Sequence, residues 1–150
     1  MSYVGRYSHV YIALAMVGAV IAAILTSFHF STGAEANLCS TAAGCHAVNE
    51  SQYSTVAGVP IALMGLGSYL VIAALAAISI RSEEVAEWAS LAIFGISLIG
   101  VLYSAYLTYL ELFVIHAVCP WCVGSAAVMI AIWLVSMSEM SRDRRAAQRA

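Results

Sequence analysis

Four long runs of apolar residues limit what this chain can fold into. They cover residues 10–28, 60–80, 86–110 and 120–138. Each run is close to the roughly 20 residues that a helix needs to cross the hydrocarbon core of a bilayer. Helices are expected because backbone polar groups in lipid have to be paired within their own segment. The sequence therefore predicts an all-α membrane protein, a bundle of four transmembrane helices that forms a single domain over residues 1–150.

The scarcity of charged residues supports this assignment. They make up 9% of the chain, and hydrophobic residues make up 63%, whereas about a quarter of a soluble domain is charged. The formal net charge is −2, and the chain has no lysine and no basic stripe. Nucleic acid is therefore not an expected partner.

The arginines predict how the chain is oriented in the membrane. There are six of them: Arg6, Arg81, Arg142, Arg144, Arg145 and Arg149. Four spans put the N-terminus, the link near Arg81 and the C-terminus on one side, which the positive-inside rule makes cytoplasmic. The extracytoplasmic side then receives the long loop at residues 29–59 and the short link near residues 111–118.

Four cysteines form two close pairs on the predicted extracytoplasmic side. Cys39 and Cys45 lie in the long loop, and Cys119 and Cys122 form a Cys-Pro-Trp-Cys motif at the start of the fourth run. Disulfides persist outside the reducing cytosol. C-x-x-C is a recognised redox spacing, and amide donors at a helix N-terminus favour a thiolate there.

Two pairs on one side indicate a relay in which a thiolate of one pair attacks the disulfide of the other. Two other interpretations stay open. In the first, the pairs are structural disulfides in a protein that is not an enzyme. In the second, all four cysteines bind one zinc ion, which needs four ligands.

The order of these motifs resembles the vitamin K epoxide reductase family. The resemblance rests on Cys39-x5-Cys45, Ser51 six residues later, Gly58-Val59-Pro60, residues 109–119 and the Cys-Pro-Trp-Cys motif. DsbB-type oxidases do similar work, but their C-x-x-C pair comes in the first external loop. The reversed order here is closer to the vitamin K epoxide reductase family.

The resemblance implies a bundle around a quinone, capped by the extracytoplasmic loop and a short helix, expected at residues 46–55. It implies that Cys122 lies beside the quinone ring and that Cys119 is its disulfide partner and exchanges with Cys45. Cys39 would face the external redox partner. Ser51 would donate a hydrogen bond near the active centre, with a purely structural cap of the short helix as the alternative.

The activity implied is that of a membrane thiol–quinone oxidoreductase. Electrons would pass from a reduced thioredoxin-like protein of the DsbA type through both pairs to a quinone of the ubiquinone or menaquinone type, with no haem, flavin or metal. Many bacterial members carry a fused thioredoxin-like domain. None follows the fourth run in this sequence, so we expect either a separate partner or a fused domain that lies beyond residue 150.

Two positions differ from the vertebrate enzyme. Ser54 stands where that enzyme has an Asn, and Ala126 stands where it has a Tyr, and both of those residues contact the vitamin K head group. The differences favour plain quinone reduction, with vitamin K epoxide reduction as the alternative. The predicted quinone-binding residues are Cys122, Ser54, Ala126 and Tyr106.

Several other residues have two possible roles. Tyrosines recur every third residue on the third run, at Tyr103, Tyr106 and Tyr109. They either line a quinone pocket or form part of an aromatic belt at the membrane interface. Glu111 and His116 are expected near the membrane boundary. They either carry protons for quinone reduction or anchor the helix end at the interface. Glycines on the second and third runs predict close helix contacts; they are Gly65, Gly67, Gly95 and Gly100.

Overall fold

A computed structural model of the chain describes residues 4–30, Val48 and residues 51–149. It contains four long helices: α1 (Val4–Phe30), α2 (Ile61–Ile78), α3 (Glu83–Leu110) and α4 (Pro120–Arg149). Each predicted apolar run corresponds to one of them. All four are long and apolar enough to cross a membrane. The prediction of an all-α bundle with four transmembrane helices is confirmed.

Helices α1, α3 and α4 extend beyond their apolar runs into polar residues, whereas α2 lies within its run. Helix α3 begins with Glu83 and Glu84 in its first turn, where negative charge interacts favourably with the helix dipole. Helix α4 continues through the polar tail to Arg149.

Small residues allow α1 to lie close to α2. Helix α1 buries Ala15, Ala19 and Ala22, and a Cβ added at Gly18 would overlap the ring of Tyr69 on α2. Small residues at such contacts let two backbones approach in a membrane. Large apolar side chains instead cover the outer surface; Trp88, Ile99 and Leu102 of α3 are among the most exposed. The bundle therefore presents an apolar exterior that suits lipid.

Three polar contacts bring helix ends together at one end of the bundle, called here the arginine end. Tyr11 of α1 donates a hydrogen bond to the buried carboxyl group of Glu139 on α4. Ser8 and Ser79 share a hydrogen bond of 3.0 Å. Arg142 donates to the Tyr7 hydroxyl at 2.9 Å. The start of α1 and the ends of α2 and α4 thus lie together.

The opposite end, called here the cysteine end, contains Cys119, Cys122 and a small hairpin. Strands β1 (Thr55–Val56) and β2 (Val59–Pro60) are antiparallel, with Thr55 opposite Pro60. The two turn residues, Ala57 and Gly58, have φ values of 52° and 81°, as a two-residue hairpin turn of the primed type requires. Pro60 directly precedes α2, which begins at Ile61.

The short helix predicted at residues 46–55 does not extend through the part of that range that the structure describes. Val48 is helical, but residues 51–54 form a turn and Thr55 begins β1. Local hydrogen bonds fix this turn: Ser54 N–H donates to the Ser51 carbonyl, and Ile61 N–H donates to the Ser54 carbonyl. The rest of the predicted helix lies outside the described residues.

The link between α3 and α4 is partly helical rather than a simple loop. Residues Glu111–Ile115 form a π-helical turn that continues α3. His116 then adopts a left-handed conformation, with φ of 53°, and ends this turn. Residues 116–119 lead directly into α4.

Candidate functional site

A cavity of about 450 Å³ lies within the bundle and reaches its cysteine end. Helices α2, α3 and α4 form most of its wall, and Ala22 and Leu25 of α1 and residues of the 48–54 segment complete it. Ligand pockets typically enclose about 300–1,000 Å³ and are lined mainly by apolar side chains with a few polar groups. The cavity therefore suits a mostly apolar small molecule.

Cys119 and Cys122 both line this cavity. Cys119 is 1% exposed and packs in a small apolar cluster with Leu25 and Val48. It immediately precedes α4, and its carbonyl accepts the N–H of Val123 at 3.1 Å. Cys122 is half-buried within the first turn of α4. The first cysteine of the motif is therefore at the helix N-terminus, as the motif predicts, where amide donors favour a thiolate.

Glu111 lies beside this pair. Its carboxyl group is buried and accepts a hydrogen bond from the Cys119 backbone N–H, with 3.3 Å between nitrogen and oxygen. The Cys122 side chain forms a second hydrogen bond to the same carboxyl group. The π-helical turn positions Glu111, because its backbone carbonyl accepts the N–H groups of His116 and Ala117.

His116 takes no part in this arrangement. Its side chain is exposed, and its Nδ1 atom lies 3.2 Å from the Leu112 carbonyl oxygen. Of the two ionisable residues that the sequence offered as proton carriers, only Glu111 contacts the described cysteines, Cys119 and Cys122.

The 51–54 turn contributes Ser51 and Ser54 to the cavity wall. The Ser51 hydroxyl donates to the Val48 carbonyl at 2.8 Å, so its hydrogen atom is used within the loop. Its oxygen remains able to accept a hydrogen bond. The geometry gives Ser51 a local structural contact in addition to its place at the cavity.

Tyr69 also lines the cavity, although no sequence pattern singled it out. Its ring is 1% exposed, and its hydroxyl lies 2.8 Å from the carbonyl oxygen and 2.9 Å from the hydroxyl of Ser125 on α4. Ala126, a predicted binding residue, lines the cavity next to Ser125. The sequence feature that could have pointed to Tyr69 is its place as a lone tyrosine within the aliphatic run of α2.

Tyr106 differs from its prediction as a quinone-binding residue. Tyr103 lines the cavity, but Tyr106 does not and is 51% exposed. Residues three apart on an α-helix are rotated by about 300°, so each step of three moves a side chain about 60° around the axis. Tyr109 is accordingly even further from the inner face and is 55% exposed.

The predicted role of the glycines in helix contacts holds at one position out of four. A Cβ on Gly100 would lie 2.9 Å from the Met129 side chain, so this glycine does lie at a close contact. A Cβ on Gly65, Gly67 or Gly95 would have no atom within 4 Å. Gly65 instead lines the cavity.

Part of the cavity wall also reaches the outer surface of α2 and α3. Met64 of α2 and Ile99 of α3 both line it and are also 49% and 69% exposed.

The outer pair, Cys39 and Cys45, lies outside the described residues. Within the described ranges, His, Cys, Asp and Glu side chains form no group of three that could hold a metal ion.

One comparison with known proteins bears on the whole chain. A family model described as the vitamin K epoxide reductase family matches residues 9–137. The matched range includes both cysteine pairs and most of each helix.

Proposed function

The chain belongs to the vitamin K epoxide reductase family, and from this premise we propose that it forms disulfides by passing electrons from a reduced thioredoxin-like protein to a quinone. The family is one of multi-pass membrane oxidoreductases that act on thiols, disulfides and quinones. The observation that carries the proposal is the cavity: Cys119 and Cys122 line it, and the rest of its wall is largely apolar.

The proposed reaction joins four redox couples. A partner of the DsbA type loses two electrons and two protons as its dithiol becomes a disulfide. Cys39 and Cys45 receive these electrons by thiol–disulfide exchange, and Cys45 passes them to Cys119 and Cys122. The inner dithiol returns to a disulfide as a quinone of the ubiquinone or menaquinone type takes up two electrons and two protons and leaves as quinol.

The residues of the cavity have distinct parts in this scheme. Cys122 faces the substrate, and Cys119 is its disulfide partner. Amide donors at the start of α4 favour negative charge on these sulfurs. The apolar wall excludes water from the reacting atoms. Ser51, Ser54 and Tyr69 supply polar atoms to a quinone head group, whereas exposed Tyr106 has no contact role in the proposed site.

Plain quinone reduction is favoured over vitamin K epoxide reduction by the cavity wall. Ser54 and Ala126, the two positions that differ from the vertebrate enzyme, both line the cavity. The wall therefore has a hydroxyl group and a methyl group where that enzyme has an amide and a phenol.

The proposed orientation places the cysteine end outside the cytoplasm and the arginine end inside it. The end that contains Arg81 and Arg142 also contains the start of α1 and the end of α4. This arrangement agrees with the positive-inside rule and with a disulfide-forming compartment at the other end.

The test mixes purified protein with a reduced thioredoxin-like protein and a quinone without oxygen, and follows quinone absorbance. Cys122→Ala and Cys119→Ala should abolish turnover. Cys39→Ala should retain turnover with a small dithiol better than with the protein donor, since only the small molecule reaches the inner pair directly. Wild-type turnover in Cys122→Ala would refute the proposal. No coupling to quinone in the wild-type protein would support purely structural disulfides.

A further inference from the structure

Glu111 is the one charged residue on the cavity wall among the residues that the structure describes. The other titratable side chains facing the cavity are Tyr53 before β1, Tyr69 of α2, Tyr103 of α3, and Cys119 and Cys122. Helix α1 contributes only Ala22 and Leu25. A negative charge that forms on the Cys122 sulfur therefore has the Glu111 carboxyl group as a hydrogen-bonded ionisable neighbour.

The carboxyl group is held against the pair by geometry. It is 3% exposed, the Cys119 N–H donates to it, and the Cys122 side chain hydrogen-bonds to it. The two N–H groups that bind the Glu111 carbonyl fix the backbone from which this side chain projects. Proton transfer needs such hydrogen-bond contact between the two groups.

We propose that Glu111 and Cys122 share one proton in the reduced pair, so that Glu111 takes the proton of the Cys122 thiol as the reactive thiolate forms. The S–H bond of Cys122 breaks and an O–H bond forms on Glu111. When the pair is oxidised, the Glu111 O–H bond breaks and its proton passes to a quinol oxygen. The Cys119 thiol supplies the second proton, and the two sulfurs supply the two electrons.

This exchange keeps a single negative charge in the cavity throughout. Burying a second charge in an apolar site is expensive, and moving a proton along an existing hydrogen bond avoids it. The amide donors at the start of α4 stabilise the charge on either group. The inference rests on the proposed function for the final acceptor of the Glu111 proton, which is the quinol oxygen. The proton exchange between Cys122 and Glu111 is testable without a quinone.

The first experiment uses a protein in which Cys39, Cys45 and Cys119 are replaced by Ser, so that Cys122 is the only thiol. Its rate of alkylation by iodoacetamide is measured across pH. Two groups that share a proton titrate in two macroscopic steps, and alkylation reports the thiolate. We expect a two-step rise with Glu111 present and loss of the lower step in Glu111→Gln, whose amide oxygen still accepts the Cys119 N–H.

Two further variants separate proton exchange from a structural role. Glu111→Asp keeps a carboxyl group and should retain both steps. Glu139→Gln removes the second buried carboxyl group of the described residues, at the arginine end, and should also retain both steps. A purely structural Glu111 would leave the shape of the profile the same in the Glu111→Gln protein, and that result would overturn the inference.

The second measurement needs no substitution at Glu111. Infrared difference spectra of the wild-type protein, reduced by a small dithiol, should gain a carboxylic acid C=O band that shifts when glutamate is labelled with ¹³C. Absence of that band would overturn the inference even if Glu111→Gln fails to fold. Either negative result leaves quinone turnover and its dependence on Cys122 intact, so failure here is distinct from failure of the proposed function.

Discussion

The hydroxyl of Tyr69 lies 2.8 Å from the backbone carbonyl oxygen of Ser125, to which it donates a hydrogen bond. The contact ties α2 to α4 at the cavity wall, where Gly18 of α1 leaves room for the tyrosine ring. Three of the four helices thus meet at one side chain.

Removing this hydroxyl should loosen the bundle. Tyr69→Phe should lower the free energy of unfolding in detergent by about 1 kcal/mol, the size of an interhelical hydrogen bond in a membrane protein. Tyr106→Phe, which changes an exposed phenol on α3, serves as the control and should change neither stability nor the KM for quinone. Equal losses of stability in the two variants would contradict the role given to Tyr69.

Filling the cavity should weaken quinone binding. Gly65 lines the cavity and has open space at its Cβ position, so Gly65→Phe should raise the KM by about tenfold or more, which corresponds to about 1.4 kcal/mol. Gly67→Phe is the matched control, because Gly67 has the same open space but does not line the cavity. If both variants raise the KM equally, the substrate binds elsewhere.

The hydrogen bond from Ser51 to the Val48 carbonyl alters what is expected of this residue. Ser51→Ala should lower the free energy of unfolding by about 1 kcal/mol, the usual net value of one hydrogen bond, and should slow turnover less than about tenfold. Thermal unfolding and turnover are measured on the same protein, with Ser54→Ala as the comparison. A larger loss of turnover with unchanged stability would instead support donation to the substrate or to a thiolate.

An inter-pair disulfide should form when only Cys45 and Cys119 remain. Val48 packs in the same cluster as Cys119, and Cys45 is three residues before Val48 in the sequence. Three residues of chain span at most about 11 Å, which permits the Cα separation of up to about 7 Å that a disulfide tolerates. Peptide mapping of oxidised Cys39→Ser/Cys122→Ser protein should find this cross-link. The complementary protein with only Cys39 and Cys122 should not form one, and two free thiols in the first protein would exclude the proposed route.

The apolar runs were sufficient to predict the four helices, because length and composition decide whether a segment can cross a bilayer. They did not tell which side of a helix faces inward. Tyr106 shares a spacing with Tyr103 but is rotated away from the cavity, and Gly67 resembles Gly100 in sequence but has open space beside it.

The sequence also did not indicate that Glu111, and not His116 five residues later, contacts Cys119 and Cys122. Their separation depends on the π-helical turn and on the left-handed backbone of His116, neither of which has a strong signal in the residues themselves. Tyr69 and Gly18 are 51 positions apart, so their contact depends on the register between two helices and could not be predicted from either run alone.

The contact between Tyr11 and Glu139 affects the order in which the helices of the nascent chain can assemble. Tyr11 is synthesised 128 residues before Glu139, its carboxyl partner. Helix α1 can pack against α2 early, because Ser79, the partner of Ser8, is synthesised well before the last helix. The hydrogen bond of Tyr11 can form only after α4 has been synthesised. Cys119, which packs against Leu25 of the first helix, is enclosed only at that late stage. Assembly of the proposed redox centre therefore coincides with the arrival of the final membrane segment.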